Sequence, residues 1–233
     1  MPDTDDAPAP HYHGHRQRLR QRFLDTDGQG MADYELLELL LFGALPRADV
    51  KPLAKALIAH FGSFADVIRA RPEDFSAFKS LGPAAQSILR AVHVASIKIL
   101  QYEMKETPVL SHWDHVVNYC RAVMGHKTEE EFRLIFLNNK NHVIRDEIHQ
   151  RGTVNSVPIF PREVVKRALE LSASAVIMVH NHPGGDPTPS HADIKYTEDI
   201  NRALKSVHIK LHDHIIVTKG NQFTSFRQLG GVL

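Results

Sequence analysis

An uninterrupted apolar run that stops at a pair of histidines sets the terms for what this chain can fold into. In SAVIMVHNHPGGDPTPSHADIKYTEDINRALKSV, residues 174–179 carry no polar side chain after the opening serine. A strand that is apolar at every position has no solvent-facing side, so the sheet holding it must be covered on both faces. The residues around it supply sheet and cover. FRLIFLN and HVIRDEIH flank Asn138–Asn139–Lys140 and read as a β-hairpin. PREVVKRALELS reads as a helix with Pro161 in its first turn and Val164, Val165, Ala168 and Leu169 on one face. ADIKYTEDINRALKSV is a second helix, and HIIVTKG with QFTSF forms a last hairpin around Gly220 and Asn221. Residues 106–233 are therefore expected to form an α+β domain in which helices cover a mixed sheet.

The preceding half has a different period. YELLELLLFGAL places Leu36, Leu37, Leu40 and Leu41 at helical spacing, with Gly43 and Pro46 as stop signals. KPLAKALIAHFG repeats the pattern and ends at Gly62, and PAAQSILRAVHVASIKILQY is a longer helix. Residues 16–105 are expected to be a small all-helical domain, bounded by the charged, Pro108-containing stretch EMKETPVLSH, with residues 1–15 as a disordered tail.

Charge and composition exclude more than they assign. Charged residues make up 24% and hydrophobic ones 42%, an ordinary soluble balance, and no run approaches the roughly 18 apolar residues of a membrane span. No secretory signal is read at the start, and a single cysteine, Cys120, fits a reducing cytoplasm. Its neighbours in VVNYCRAV are largely apolar, so a buried, inert thiol is expected. The formal net charge is +1 and both halves are near neutral, which gives no signature of strong non-specific nucleic-acid binding. Arg16, Arg18, Arg20 and Arg22 cluster locally in RQRLRQR, read first as a solvated helix face.

His180 and His182 are two apart at a strand end, so both imidazoles project to one side. The loop PGGDPTP reverses the chain, Ser190 stands where the next helix begins, and Asp193 lies one turn in. Two imidazoles and a carboxylate are a frequent catalytic zinc set, with the fourth position open. Ser190-x-x-Asp193 is equally a helix-capping pattern, and a His-x-His pair arises easily in a chain with 16 histidines. Strand, loop and helix start together favour the metal site. Glu147, on the second strand of the hairpin, is the leading candidate for a proton-transfer group. The Ser190 hydroxyl is a candidate oxyanion donor, in competition with its capping role.

Glu147, His180-x-His182, Ser190 and Asp193 together resemble the JAMM (MPN+) metalloprotease motif. FPREVVKRALELSASAVIMVHNHPGGDPTPSHADI, with DHIIV downstream, resembles the bacterial RadC-like family over nearly the whole chain. The resemblance implies a cytidine-deaminase-like α/β/α JAMM/MPN domain behind a helix-hairpin-helix-like region. It also implies one zinc per chain held by His180, His182 and Asp193, with Glu147 as general acid/base and Ser190 as oxyanion stabiliser. The implied reaction is hydrolysis of a peptide or isopeptide bond in a protein or peptide substrate. The alternative is a DNA-associated accessory protein of repair or replication with a structural metal, binding DNA weakly through its helical domain. There the hairpin signature reads Ser80-Leu81-Gly82, without the usual first glycine. Manganese or iron suit the same ligands. A deaminase is disfavoured because its cysteine ligands are missing. His212, Asp213 and His214 are read as packing groups or as groups that orient a ligand.

Overall fold

The computed structural model describes residues 14–152, 160–231 and 233, which divide between Ser96 and Ile97 into two compact units. The expected tail over 1–15 lies outside the described residues, apart from Gly14 and His15, which open the first helix.

The first unit is helical: α1 (His15–Thr26), α2 (Asp33–Ala44), α3 (Lys51–Phe61), α4 (Phe64–Arg69), a 3-10 turn (Pro72–Phe75) and the start of α5 (Pro83–Glu106). Its core gathers Leu37 and Leu41 of α2, Ala54 and Leu57 of α3, Val67 of α4 and Leu89 of α5. The periodic leucines are thus the buried stripe. Gly43 does not end α2, which continues one residue further. Two of the four clustered arginines serve this unit internally. The Arg16 guanidinium donates to the carbonyls of Phe42, Leu45 and Ala48 at the end of α2, where carbonyls lack helical partners. Arg22 pairs with Glu35.

The second unit holds the rest of α5, then α6 (Trp113–Met124), β1 (Glu131–Leu137), β2 (Val143–Arg151), α7 (Pro161–Glu170), β3 (Ala175–His182), α8 (His191–Lys205), β4 (Lys210–Thr218), β5 (Phe223–Ser225) and α9 (Phe226–Leu229). The five strands lie in the order β2-β1-β3-β4-β5. Only the β3–β4 pair is parallel, joined by the crossover helix α8. The central strand β3 is the apolar run, buried along its length up to His182. Its two faces serve two cores. Val176 and Met178 face α7 and α8, with Val164, Ala168, Ile200 and Leu204. Ile177 and Val179 face α6, with Val116, Val117, Cys120 and Met124. Truncating one of these large side chains to alanine costs about 2–5 kcal/mol.

Helix α6 was not among the elements read from the sequence. Cys120 lies on it, fully buried, and burial pushes its thiol well above the usual range. A side chain at Gly125, just after α6, would come within 2.8 Å of the Thr218 carbonyl, so glycine lets that turn lie against the end of β4. Among the described residues, no helix is long and apolar enough to cross a membrane.

Candidate metal centre

β3 ends in His180 and His182, and the loop after it leads to α8, whose first turn carries Asp193. The strand puts both imidazoles on the α8 face, and the turn geometry returns Asp193 to them. His180 Nε2 lies 2.9 Å from His182 Nε2 and 3.3 Å from Asp193 Oδ1. His182 Nε2 lies 3.5 Å from Asp193 Oδ2. One ligand atom from each of the three falls within 4.8 Å of the other two. His180 and Asp193 are buried, and His182 is partly open to solvent.

The surrounding hydrogen bonds dictate which nitrogens carry protons. His182 Nδ1 stands 2.7 Å from the Asp186 carbonyl, which can only accept, so Nδ1 is protonated and Nε2 of the neutral ring is bare. For His180 the assignment runs through three residues. The Thr197 hydroxyl donates to the Asp193 carbonyl, so its oxygen accepts from His214 Nδ1 at 2.7 Å. Complete burial holds His214 well below the usual imidazole range, hence neutral, so its Nε2 accepts from His180 Nδ1 at 2.8 Å. His180 Nε2 is then also bare. Phe226 stacks on His214 with centroids 4.6 Å apart, and Phe132 lies nearly parallel to His180 at 6.4 Å, so the relay is enclosed by apolar rings.

With both rings neutral, two nitrogen lone pairs and a carboxylate face one another with no donor between them, an arrangement that calls for a positive charge among the three: a metal ion, or in its place a proton on His182, whose imidazole Asp193 shifts upward. Atoms about 2.0–2.1 Å from a tetrahedral zinc stand about 3.3 Å apart, close to the separations found here. The residues fit a metal ion. Asp193 is ionised to match: burial would raise its carboxyl, but Ser190 N–H, the Ser190 hydroxyl and the Tyr196 hydroxyl all donate to its oxygens, and it is held far below the usual carboxylate range.

The capping reading is realised, and it coexists with the candidate ligand triad. The Ser190 hydroxyl accepts from Asp193 N–H at 3.1 Å and donates to Asp193 Oδ2 at 2.7 Å, and Ser190 N–H donates to the same oxygen at 2.7 Å. Tyr196 adds a donor to Oδ1 at 2.9 Å. The capping box thus aims the carboxylate. The Ser190 proton points at Asp193, so an oxyanion role requires the hydroxyl to turn.

Glu147 opens onto the same sheet face, across Leu134 from Met178, but is tied to another partner. It lies on the edge strand β2, separated by β1 from the strand that carries the histidines. Both its oxygens accept from the Arg167 guanidinium of α7, at 2.7 and 2.9 Å, and that pairing holds its carboxyl below the usual value. The acid whose charge reaches the site is Glu130, which acts on His180, His182 and Tyr196. The register pairs Phe132 with His180, and residues two apart share a face, so Glu130, just before β1, follows Phe132 onto the face of the two histidines. The run EEEF at the start of β1 was the available signal, but three consecutive acids do not say which one turns inward. Tyr196 and Thr197 were likewise not singled out beforehand.

A comparison with protein families matches residues 110–231 to the RadC-like JAB domain.

Proposed function

The chain belongs to the RadC-like JAB domain family, whose match spans just over half of it, and on that footing we propose that it is a metal-dependent hydrolase of peptide or isopeptide bonds. The ion is zinc, one per chain, held by His180, His182 and Asp193. The observation that carries this reading is the convergence of two bare Nε2 atoms and an ionised carboxylate, each fixed by its own hydrogen bonds. A structural site usually closes the metal with four protein ligands, whereas this set offers three. Zinc in such a set supplies Lewis-acid activation of water and of a carbonyl.

The proton traffic falls to the protein. Glu130, on the open side of the site beside His182, takes the proton of the attacking water on a carboxylate oxygen and passes it to the leaving amine. Glu147 is unsuited to that part, because a carboxylate held ionised by a bidentate arginine is a poor proton donor to a leaving group. Ser190 and Tyr196 keep Asp193 aimed.

Two measurements test the reading. Elemental analysis should find one zinc in the wild-type chain and none in a His180→Ala/His182→Ala double variant. On a library of internally quenched peptides, including lysine-branched ones, Glu130→Gln should keep zinc and lose about 10²–10⁴ in turnover, while Glu147→Gln stays within a few-fold of wild type. A wild-type protein that holds no zinc after loading, or cleaves nothing when loaded, overturns the proposal. The reverse ranking of the two glutamates returns the shuttle to Glu147.

A further inference from the structure

The residue between the two histidine ligands has a part of its own. Asn181 is fully buried, and its side chain points away from the metal side of β3, since neighbouring strand residues alternate between faces. Its amide makes two hydrogen bonds to one short piece of backbone. Asn181 Oδ1 accepts from Glu131 N–H at 2.7 Å, and Asn181 Nδ2 donates to the Glu129 carbonyl at 3.0 Å. These are the two peptide groups that flank Glu130. The amide orientation is settled by its partners, because an N–H can only donate and a carbonyl can only accept.

The register explains why a side chain is used here. The regular ladder of β1 begins at Glu131, and the β1–β3 pairing begins at Phe132 opposite His180. Beyond that pair, Asn181 takes the place of the next ladder bonds and carries the β1 backbone past the end of the sheet. Glu131 is held from its side chain as well, by Lys127 and by Arg133 at 3.2 Å. The backbone of Glu130 is thus clamped on both sides, and strand alternation gives its side chain the opposite face, that of the two imidazoles its charge acts on.

We infer that Asn181 is the positioning residue for Glu130, fixing that carboxylate beside the metal ligands through a two-point amide clamp on residues 129 and 131. The inference rests on the proton-shuttle role proposed for Glu130. Only a primary amide of this length offers one donor and one acceptor at that spacing. An aspartate keeps the acceptor for Glu131 N–H but loses the donor to Glu129, and an alanine loses both. Asn181 touches neither the ion nor substrate in this scheme, so it should act on rate and leave metal binding alone.

The test uses zinc-loaded full-length Asn181→Ala and Asn181→Asp beside wild type and Glu130→Gln, with three readouts: zinc content, hydrogen exchange of the Glu131 amide, and the split between kcat and KM on the best library peptide. Asn181→Ala is expected to retain its zinc and exchange the Glu131 amide roughly tenfold faster or more, as a buried bond opens. Its kcat should fall on the order of a hundredfold with KM nearly unchanged, as for a displaced reacting group. Asn181→Asp should fall between, and it carries the test should the alanine variant not fold. Loss of zinc in both variants overturns the inference by making Asn181 part of the metal cradle. Unchanged exchange or unchanged kcat overturns it too. Full turnover in Glu130→Gln is a different failure: it removes the shuttle role, while the exchange result still reports whether the clamp exists.

Discussion

The two faces of the sheet beside His180 both bury charged and titratable groups, yet they are built to opposite ends. On the α6 face, each charge is neutralised by its neighbours. Glu131 accepts from Lys127 and Arg133, with Arg151 at 3.5 Å, and Asp146 pairs with Arg133 at 2.7 Å and accepts from Tyr119. On the α8 face, hydrogen bonds occupy Nδ1 of both histidines and the outer lone pairs of Asp193, and the remaining lone pairs converge on one point. Burial and charge do not separate a site from a structural network. What separates them is whether the acceptors are left uncompensated and aimed together. Asn181 links the two designs, since from the neutralised face it holds the backbone that presents Glu130 to the other.

The comparison can be broken by variants that hit one face only. The largest effect is expected from Arg133→Met, which leaves Asp146 and part of Glu131 buried without their cation. Removing one partner of a buried pair costs about 3–5 kcal/mol, so the urea midpoint should drop strongly while the folded variant still binds one zinc. Loss of zinc from the folded variant would show that the faces are not separable.

His214→Leu should do the opposite. It removes the acceptor that fixes the His180 tautomer, and losing such a partner weakens metal binding by about 10–100-fold. Competition with a chromophoric chelator measures this directly. Unchanged affinity would mean that His180 is oriented without the Thr197–His214 relay.

The smallest effect belongs to the partly buried pair that holds Glu147. Its carboxyl is depressed in the folded protein, first by hydrogen bonding to Arg167 and then, against the opposing effect of burial, by the charges of Arg167 and Arg145. A depressed carboxylate stabilises the fold above the unfolded glutamate value of about 4.3. That contribution is lost as pH falls through the lower folded value. Arg167→Ala should therefore lower the urea midpoint slightly at pH 7 and converge with wild type under strongly acidic conditions. An equal deficit at both ends of the range would assign the effect to packing instead.

Much of the second unit was legible because local pattern and tertiary role coincide there. The apolar run had to be a central strand, Pro161 had to open a helix, and the histidines two apart had to share a side. Ser190 and Asp193 were legible as a cap, which one set of hydrogen bonds realises, and the same bonds leave Asp193 in the candidate triad. Helix α6 was harder to read, since nothing in its amphipathic pattern announces which sheet face it will cover.

The hairpin of β1 and β2 marks where local reading ends. Its two strands and its turn follow from residues 132–149 alone, with Glu147 on the second strand and the acids 129–131 leading into the first. Which strand lies against β3 is not a local property. It is decided when β1 buries both faces, all seven of its residues being buried, while β2 stays partly or fully exposed at every position and is left at the edge. That choice sets the approach to β1, with Glu130, beside β3 and leaves Glu147 paired with Arg167. The sequence by itself determined most of the elements, the candidate ligand set and its cap, because those depend on spacings within one strand, one loop and one helix turn. The tertiary structure decided the shuttle candidate, the Asn181 clamp and the Thr197–His214 relay, because each joins residues on elements that meet only when the sheet assembles.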